Sequence, residues 1–344
     1  MKVSELGEFG LIGLLADIVN KSTSASATSG PGYHLLVGMG DDAAVWRSDA
    51  SIHLATTDTL VQGVHFTLDT ATWEELGWKA LAINISDIAA MGGCPRYALV
   101  TLGLPNDTEV EDIAQLYRGM GEIAQQYDVA IVGGDVIGAP VVFISVTLMG
   151  ITEGETNYPQ NILARSAATA GDLVAVTGYL GTSAAGLHML KANMQFDKET
   201  ASLLRQAHLR PLPRVHEGQI LLAKGVRAAI DISDGLVGDL AKMCQPSGVG
   251  AWVRADKVPI HPTVRAAFGE DCLRLALAGG EDYELLFTAR EEVMDRVKGG
   301  IPCTVTVIGE IVKDEARRVR LMDAEGNELS LAETGWDHFA WTGH

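Results

Sequence analysis

The chain has 344 residues, 47% of them hydrophobic and 20% charged, with a formal net charge of −18. That length exceeds what one core usually serves, so two domains are expected, and the acidic balance argues against nucleic acid or an anionic membrane as partner. Its four cysteines, Cys94, Cys244, Cys272 and Cys303, form no CxxC pair, which disfavours zinc or a redox couple and fits a reducing, cytoplasmic compartment.

The opening MKVSELGEFGLIGLLADIV carries Glu5, Glu8 and Asp17 where a secretory signal needs a basic start and an unbroken apolar run, so it reads as an amphipathic helix or arm. STSASATSGPG at 22–32 is a low-complexity insert. Strand-like and helix-like runs then alternate: strand 53–57, helix 73–91, strand 97–104, helix 110–127, strands 129–132 and 141–151. The apolar region 129–151 is broken by Asp135, Pro140 and several glycines, and is poor material for a membrane span. A polar stretch at 152–166 marks a domain boundary. Beyond it come strand 173–177, helices 183–190 and 214–224, strand 228–232, helix 236–244, and strands 283–288 and 304–311. The fold class is mixed α/β in two domains, 1–151 and 152–344.

The informative feature is where the acids sit. A subset lies in short motifs of Gly, Ser and Thr beside apolar runs: Gly40-Asp41-Asp42, Thr56-Thr57-Asp58-Thr59, Ser86-Asp87, Gly133-Gly134-Asp135, Asp231-Ile232-Ser233-Asp234-Gly235 and Gly279-Gly280-Glu281-Asp282. Asp58, Asp135 and the Asp231/Asp234 pair fall at or just past a predicted strand end, where α/β proteins present ligand groups. Asp87 continues the helical stripe Leu76, Ala80, Ile83 and Met91. An ionised carboxylate on such a face needs a partner. Carboxylates and hydroxyls without a His/Cys cluster make a hard-oxygen set, which suits magnesium and, through it, phosphoryl transfer. Any one of these motifs alone is more often a turn or helix cap. Their joint occurrence is what points to a site. There is no GxxxxGK[ST] loop, no protein-kinase signature, no GxGxxG after a strand, no HExxH and no GxSxG.

In chain order, GDDAAV (40–45), TTDTLVQGVHF (56–66), WKALAINISDIAAMG (78–92), GGD (133–135), ARS (164–166), DISDGLVGDL (231–240), GGEDYELLFT (279–288) and GWDHFA (335–340) resemble the thiamine-monophosphate kinases. These belong to a superfamily with aminoimidazole ribonucleotide synthetase, selenophosphate synthetase and the hydrogenase-maturation carbamoyl dehydratase. The resemblance implies an ATP-binding two-domain fold without a P-loop. Its N-terminal domain would bind ATP and metal and pair its sheet with that of a second subunit, making a homodimer. It implies direct in-line phosphorylation of thiamine monophosphate by ATP on several magnesium ions, held by Asp42, Thr56, Thr57, Asp58, Asp87, Asp135, Asp231 and Asp234. Tyr117, Gly134, Asp135, Arg165 and Ser233 would contact ATP; His65, Glu281 and Trp336 would contact thiamine monophosphate. No enzyme residue is implied as covalent catalyst.

Two departures stand out. Val136-Ile137-Gly138-Ala139-Pro140 replaces the family's usual hydroxyl and basic residues after Gly134-Asp135, and ARSAATAGD replaces the commoner ARSGAKPGD. The first keeps open a nucleotide-binding module without phosphoryl transfer. Other enzymes of the superfamily are the further alternative, but no cysteine precedes Cys94 and none ends the chain.

Overall fold

The computed structural model describes residues 14, 15, 18, 19, 21, 33–37, 45–48, 52–152, 162–330 and 335. Asp42, Trp336 and the whole of the 22–32 insert lie outside the described residues. Contacts divide the chain into two compact units, Met1–Ile88 with Gly93–Asn161, and Ala89–Gly92 with Ile162–His344.

The first unit holds a hairpin of β1 (Tyr33–Val37) and β2 (Val45–Ser48), and a four-stranded sheet. That sheet contains β3 (His53–Val61), β4 (Cys94–Leu104), β5 (Ala130–Gly138) and β6 (Phe143–Ile151), in the order β3-β6-β4-β5. Only the β4–β5 pair is parallel. Two helices, α1 (Trp73–Ala90) and α2 (Val110–Gln126), complete it. Helix α1 starts at a capping box: the Thr72 amide donates to Glu75 at 2.9 Å and the Glu75 amide donates to Thr72 Oγ1 at 3.3 Å. It ends at Gly92, whose φ of +72° only glycine adopts cheaply. Alternation along β6 buries Ile144, Val146 and Leu148 on one face and leaves Phe143, Ser145, Thr147 and Met149 half-buried on the other.

The second unit is built on a seven-stranded sheet of order β13-β12-β9-β11-β7-β10-β8. Its strands are β7 (Leu173–Thr177), β8 (Ala228–Asp231), β9 (Gly250–Arg254), β10 (Leu285–Ala289), β11 (Val305–Val312), β12 (Val319–Met322) and β13 (Glu328–Leu329). The helices are α3 (Thr182–Lys191), α4 (Lys198–Leu209), α5 (Val215–Lys224), α6 (Leu236–Ser247), α7 (Pro262–Phe268), α8 (Asp271–Ala278) and α9 (Glu291–Lys298). Period-two alternation divides the central strands between two cores. Val174, Val176, Ile230 and Leu286 join the side chains of α6 and α8, whereas Ala175, Ala229, Leu285 and Phe287 join those of α5 and α9. Strand β10 is buried on both faces, which is why its sequence reads as a continuous apolar run. Each such Leu or Phe contributes about 1.5–3 kcal/mol by burial.

Three expectations need correction. Strand β3 runs through Asp58 to Val61, and β5 runs through Asp135 to Gly138, so both acids lie within strands and not past their ends. Each is an edge strand with a partly exposed face, where a polar residue costs little. Helix α1 is buried on almost every side between Leu76 and Ala90, so the stripe inferred from spacing is only part of its contact surface. Asp87 is the single half-exposed residue in that stretch.

Candidate active site

In the first unit, β3 aims alternate side chains at opposite faces. Thr56 and Asp58 share the face turned toward α1, and the Thr56 hydroxyl donates to Asp87 Oδ2 at 2.5 Å. Three of the predicted oxygen ligands are thus associated with one edge of the sheet. Thr57 points the other way: its hydroxyl donates to the Val146 carbonyl at 3.1 Å and accepts from Thr147 at 3.2 Å. Only its main chain can join Thr56 and Asp87. His65 closes a turn after β3, its Nδ1 accepting from the Val61 amide at 3.0 Å. In the neutral ring the proton is then on Nε2, which makes that nitrogen a donor.

Asp135 is placed differently. It ends a row, Thr59–Ser145–Thr101–Asp135, that crosses all four strands in register. Asp135 is therefore at the far edge from Asp58, three strand spacings or about 14 Å away, and on the opposite face. Gly134 precedes it because a Cβ there would lie 1.8 Å from the Val100 carbonyl oxygen. Tyr117 is 2% exposed, turned inward by α2, and burial pushes its phenol above the ordinary tyrosine range.

In the second unit three strand ends converge. Asp231 at the end of β8 faces Leu285 at the start of β10, and Thr177 ends β7 alongside. The loops beyond them are stitched together: Glu281 N donates to Ser233 O at 2.8 Å, Tyr283 N to Ile232 O at 2.9 Å, and Ile232 N to Glu284 O at 2.8 Å. Gly280 is required by this closeness, since a Cβ on it would sit 2.2 Å from Ser233 O. Gly335, the residue before Trp336, also lies here; a Cβ on it would be 2.9 Å from Asp234 O.

Each loop is shaped by acids whose part in the fold the motifs do not reveal. Asp239 is fully buried, and its Oδ2 accepts from the amides of Ser233, Asp234 and Gly235 at 3.0, 2.9 and 3.1 Å. Burial pushes its carboxyl up, against the pull of Lys242, whose Nζ lies 2.8 Å from Oδ1. Lys242 also pairs with Asp234, so this predicted metal ligand already has a cation beside it. In the second loop Asp282 accepts from the amides of Gly181 at 2.7 Å and Ser183 at 3.1 Å, capping α3 from a distant part of the chain. Burial raises its carboxyl to about 7. Glu284 takes Arg214 in a two-point pair, 2.6 and 2.5 Å, and the Thr177 hydroxyl at 2.6 Å. Burial disfavours the guanidinium there, but Glu284 more than offsets it and holds Arg214 above its ordinary range. Glu281 and Tyr283 both have positive φ, +64° and +51°. For non-glycine residues this costs about 1–3 kcal/mol each, and the stitched loops supply what holds it.

Arg165 is not brought to Ser233 within this unit. The Ala164 amide donates to Arg227 O at 2.8 Å and Ser247 Oγ to Arg165 O at 2.9 Å. That places the Arg165 backbone where β8 begins and α6 ends, at the far end of both elements from Ser233. Among the described residues no three His, Cys, Asp or Glu side chains cluster closely enough to hold a metal. The paired Thr56 hydroxyl and Asp87 carboxylate nevertheless offer oxygen donors that fit a hard cation such as magnesium.

This architecture of two mixed α/β units is that of the AIR synthase related proteins. Residues 40–152 match the N-terminal domain of that family and residues 169–322 its C-terminal domain. More narrowly, the chain belongs to the thiamine-monophosphate kinase family. It is 34% identical over 342 residues to the thiamine-monophosphate kinase of Aquifex aeolicus, covering 98% of this chain and 100% of that one. Against the enzyme of Escherichia coli K12 it is 37% identical over 340 residues, covering 97% and 98%. Among solved structures, thiamine-monophosphate kinase from Stenotrophomonas maltophilia superposes with a TM-score of 0.78 at 35% identity, covering 89% of this chain and 95% of that one. AaThiL complexed with AMPPCP and TMP superposes with a TM-score of 0.75 at 33% identity, covering 98% and 99%.

Proposed function

We propose that the chain phosphorylates thiamine monophosphate with ATP, giving thiamine diphosphate and ADP. One observation carries this reading: the stitching of loop 232–235, with the nucleotide candidate Ser233, to loop 279–284, with the acceptor candidate Glu281. It occurs in a chain that aligns over 98% of its length with a relative holding an ATP analogue and TMP.

Magnesium would be held by Thr56, Asp58 and Asp87 with Asp42, by Asp135, and by Asp231 and Asp234. When bound it offsets phosphate charge and orients the transferring group. The residues themselves prepare for it. Thr56 gives its hydroxyl hydrogen to Asp87, so its oxygen meets a cation as an acceptor. Thr57 contributes through its main chain. Lys242 pairs with Asp234, a carboxylate that would be shared with any metal held there. Gly134, Asp135 and Ser233 are assigned to ATP; for Arg165, at the far end of β8 and α6 from Ser233, and for the buried Tyr117, the family resemblance alone supports that role. His65 offers Nε2 to the acceptor phosphate; Glu281 and Trp336 take the aminopyrimidine and the cationic thiazolium. The acceptor needs no strong base, because a phosphomonoester's second pKa is about 6. Direct in-line transfer follows. The charge to be overcome is large: two unit charges 4 Å apart repel by about 4 kcal/mol at an effective dielectric of 20.

We also propose a homodimer. Asp135 lies on the sheet face opposite to Asp58 and Asp87, among the hydroxyls of Thr59, Thr101 and Ser145. The same end of the sheet exposes Ile137 and Val141, at 45% and 40%. A second copy's sheet laid on this face would cover both. A cytoplasmic location is supported by the cysteines, all four of which are free thiols. No helix among the described residues is long and apolar enough to cross a membrane.

The test is thiamine diphosphate formation with and without magnesium, in the wild type and in Asp58→Ala and Asp87→Ala. Each substitution is expected to lower kcat about 100-fold or more. Near-normal turnover of either variant at saturating magnesium refutes the assignment. ATP binding without any product in the wild type favours the nucleotide-binding module instead.

A further inference from the structure

Glu281 is held by a group that neither the motif nor its resemblance points to. His208, near the end of α4, is 4% exposed. Its Nδ1 lies 3.3 Å from Glu281 Oε2 and 3.1 Å from the hydroxyl of Ser183, which is 1% exposed on α3. The two helices are pressed together beside it: a Cβ on Gly186 of α3 would lie 2.1 Å from Leu204 O and 3.0 Å from the His208 Cβ. The imidazole therefore sits on rigid elements, whereas Glu281 sits on a loop at φ +64°.

We propose that His208 is a positioning residue for the acceptor: with Ser183 it fixes the direction in which Glu281 presents its carboxylate. The proposal rests on the assignment of Glu281 to the acceptor. A carboxylate beside Nδ1 selects the ring form with a proton on that nitrogen, because the other neutral tautomer would set two acceptors against each other. The Nδ1 hydrogen is then shared by Glu281 Oε2 at 3.3 Å and Ser183 Oγ at 3.1 Å. A carboxylate pinned through one oxygen keeps the second oriented toward its substrate. Without the pin, the loop must order that side chain at the moment of binding, which weakens acceptor binding and leaves nucleotide binding alone.

The experiment is steady-state kinetics of the full chain with thiamine monophosphate, ATP and magnesium, comparing His208→Leu, His208→Asn, His208→Gln, Glu281→Gln and the double variant His208→Leu/Glu281→Gln. His208→Leu is expected to raise KM for thiamine monophosphate roughly tenfold, the size of one charge-assisted hydrogen bond, with KM for ATP unchanged. Asn places its amide nitrogen where Nδ1 was and restores KM to within about twofold, whereas Gln reaches past that point and does not. The double variant is expected to be no worse than Glu281→Gln, the non-additivity of two groups acting as one. An unchanged acceptor KM in His208→Leu, or an additive double variant, while Glu281→Gln alone is impaired, overturns the proposal and leaves Glu281 as a substrate contact. Should Glu281→Gln itself leave acceptor KM unchanged, the assignment of Glu281 fails and the proposal with it. If His208→Leu does not fold, the Asn and Gln pair decides: equal acceptor KM values in the two refute the positioning role.

Discussion

Removing the Asp239 carboxylate should unmake the loop that carries Ser233 and Asp234. In Asp239→Ala three backbone amides lose their common acceptor, and Lys242 loses one of its two carboxylates. Summing charge-assisted hydrogen bonds at about 1.5–3 kcal/mol each would give too large a figure. Ser233 and Asp234 are half-exposed, so water can replace their lost bonds; Gly235 is buried and cannot be compensated that way. Removing the carboxylate also recovers its own desolvation cost, which is the force that pushes its titration upward. Breaking a buried, paired charge is the closest comparison, at about 3–5 kcal/mol. For a unit of this size that corresponds to a fall in melting temperature of roughly 6–20 °C. Asp239→Asn should lose about half as much, since one oxygen can still accept from the amides while its NH2 faces Lys242. Thermal unfolding gives the first quantity; amide exchange at 233–235 shows where the loss occurs. A change under about 1 kcal/mol, with exchange at those amides unaltered, would refute the account.

Two further outcomes follow from the second loop. The Asp282 carboxyl titrates near 7 in the fold, against about 3.9 in an unfolded chain; the folded state therefore holds the proton more tightly, and stability declines as pH rises from about 4 to about 7. Asp282→Asn keeps an oxygen for the α3 amides but has no proton to lose, so the drop in melting temperature between pH 5 and 7.5 should shrink; an identical drop in both proteins would contradict this. Arg214→Met strands the Glu284 carboxylate and should cost about 3–5 kcal/mol in denaturant unfolding, most of it recovered when Glu284→Gln is added, because an unpaired buried charge is the main penalty.

Much of this was legible in the sequence, though unevenly. Helix α1 is visible from its spacing, because helix periodicity is local. Asp87 stood out because an acid among apolar helical positions is a local anomaly. The loop acids of DISDG and GGED were visible as motifs. Their division of labour was not. Asp239 reads as an ordinary acid in the first turn of a helix, and only the return of the chain over that helix shows its carboxylate under three amides. Asp282 caps a helix some hundred residues away in the chain, beyond the reach of any capping rule. The same holds for His208, an unremarked histidine at the end of α4. The strand limits at Asp58 and Asp135 failed for a related reason: an edge strand tolerates polar residues, so polarity alone does not mark where it stops.

The arrangement also explains how a site for several phosphates can be made of acids in a chain of net charge −18. Within each motif the acids fall into two kinds. Asp239, Asp282 and Glu284 are spent inside the fold on backbone amides, Lys242, Thr177 and Arg214. Their oxygens are occupied locally, and they set the backbone of the two stitched loops. Glu281 and Asp234 are left on those loops, beside cations or donors that other groups can replace. In the first unit the same contrast separates Thr56, whose hydrogen is given to Asp87, from the carboxylate that receives it. Construction by neutralised acids fixes the geometry, and presentation of the remaining acids lets a bound cation turn the local field toward phosphate. On this view the acids closest together in sequence are the least interchangeable. Exchanging Glu281 with Asp282 would keep composition and charge, yet it would remove a helix cap and the pairing of Glu281 with His208 at once.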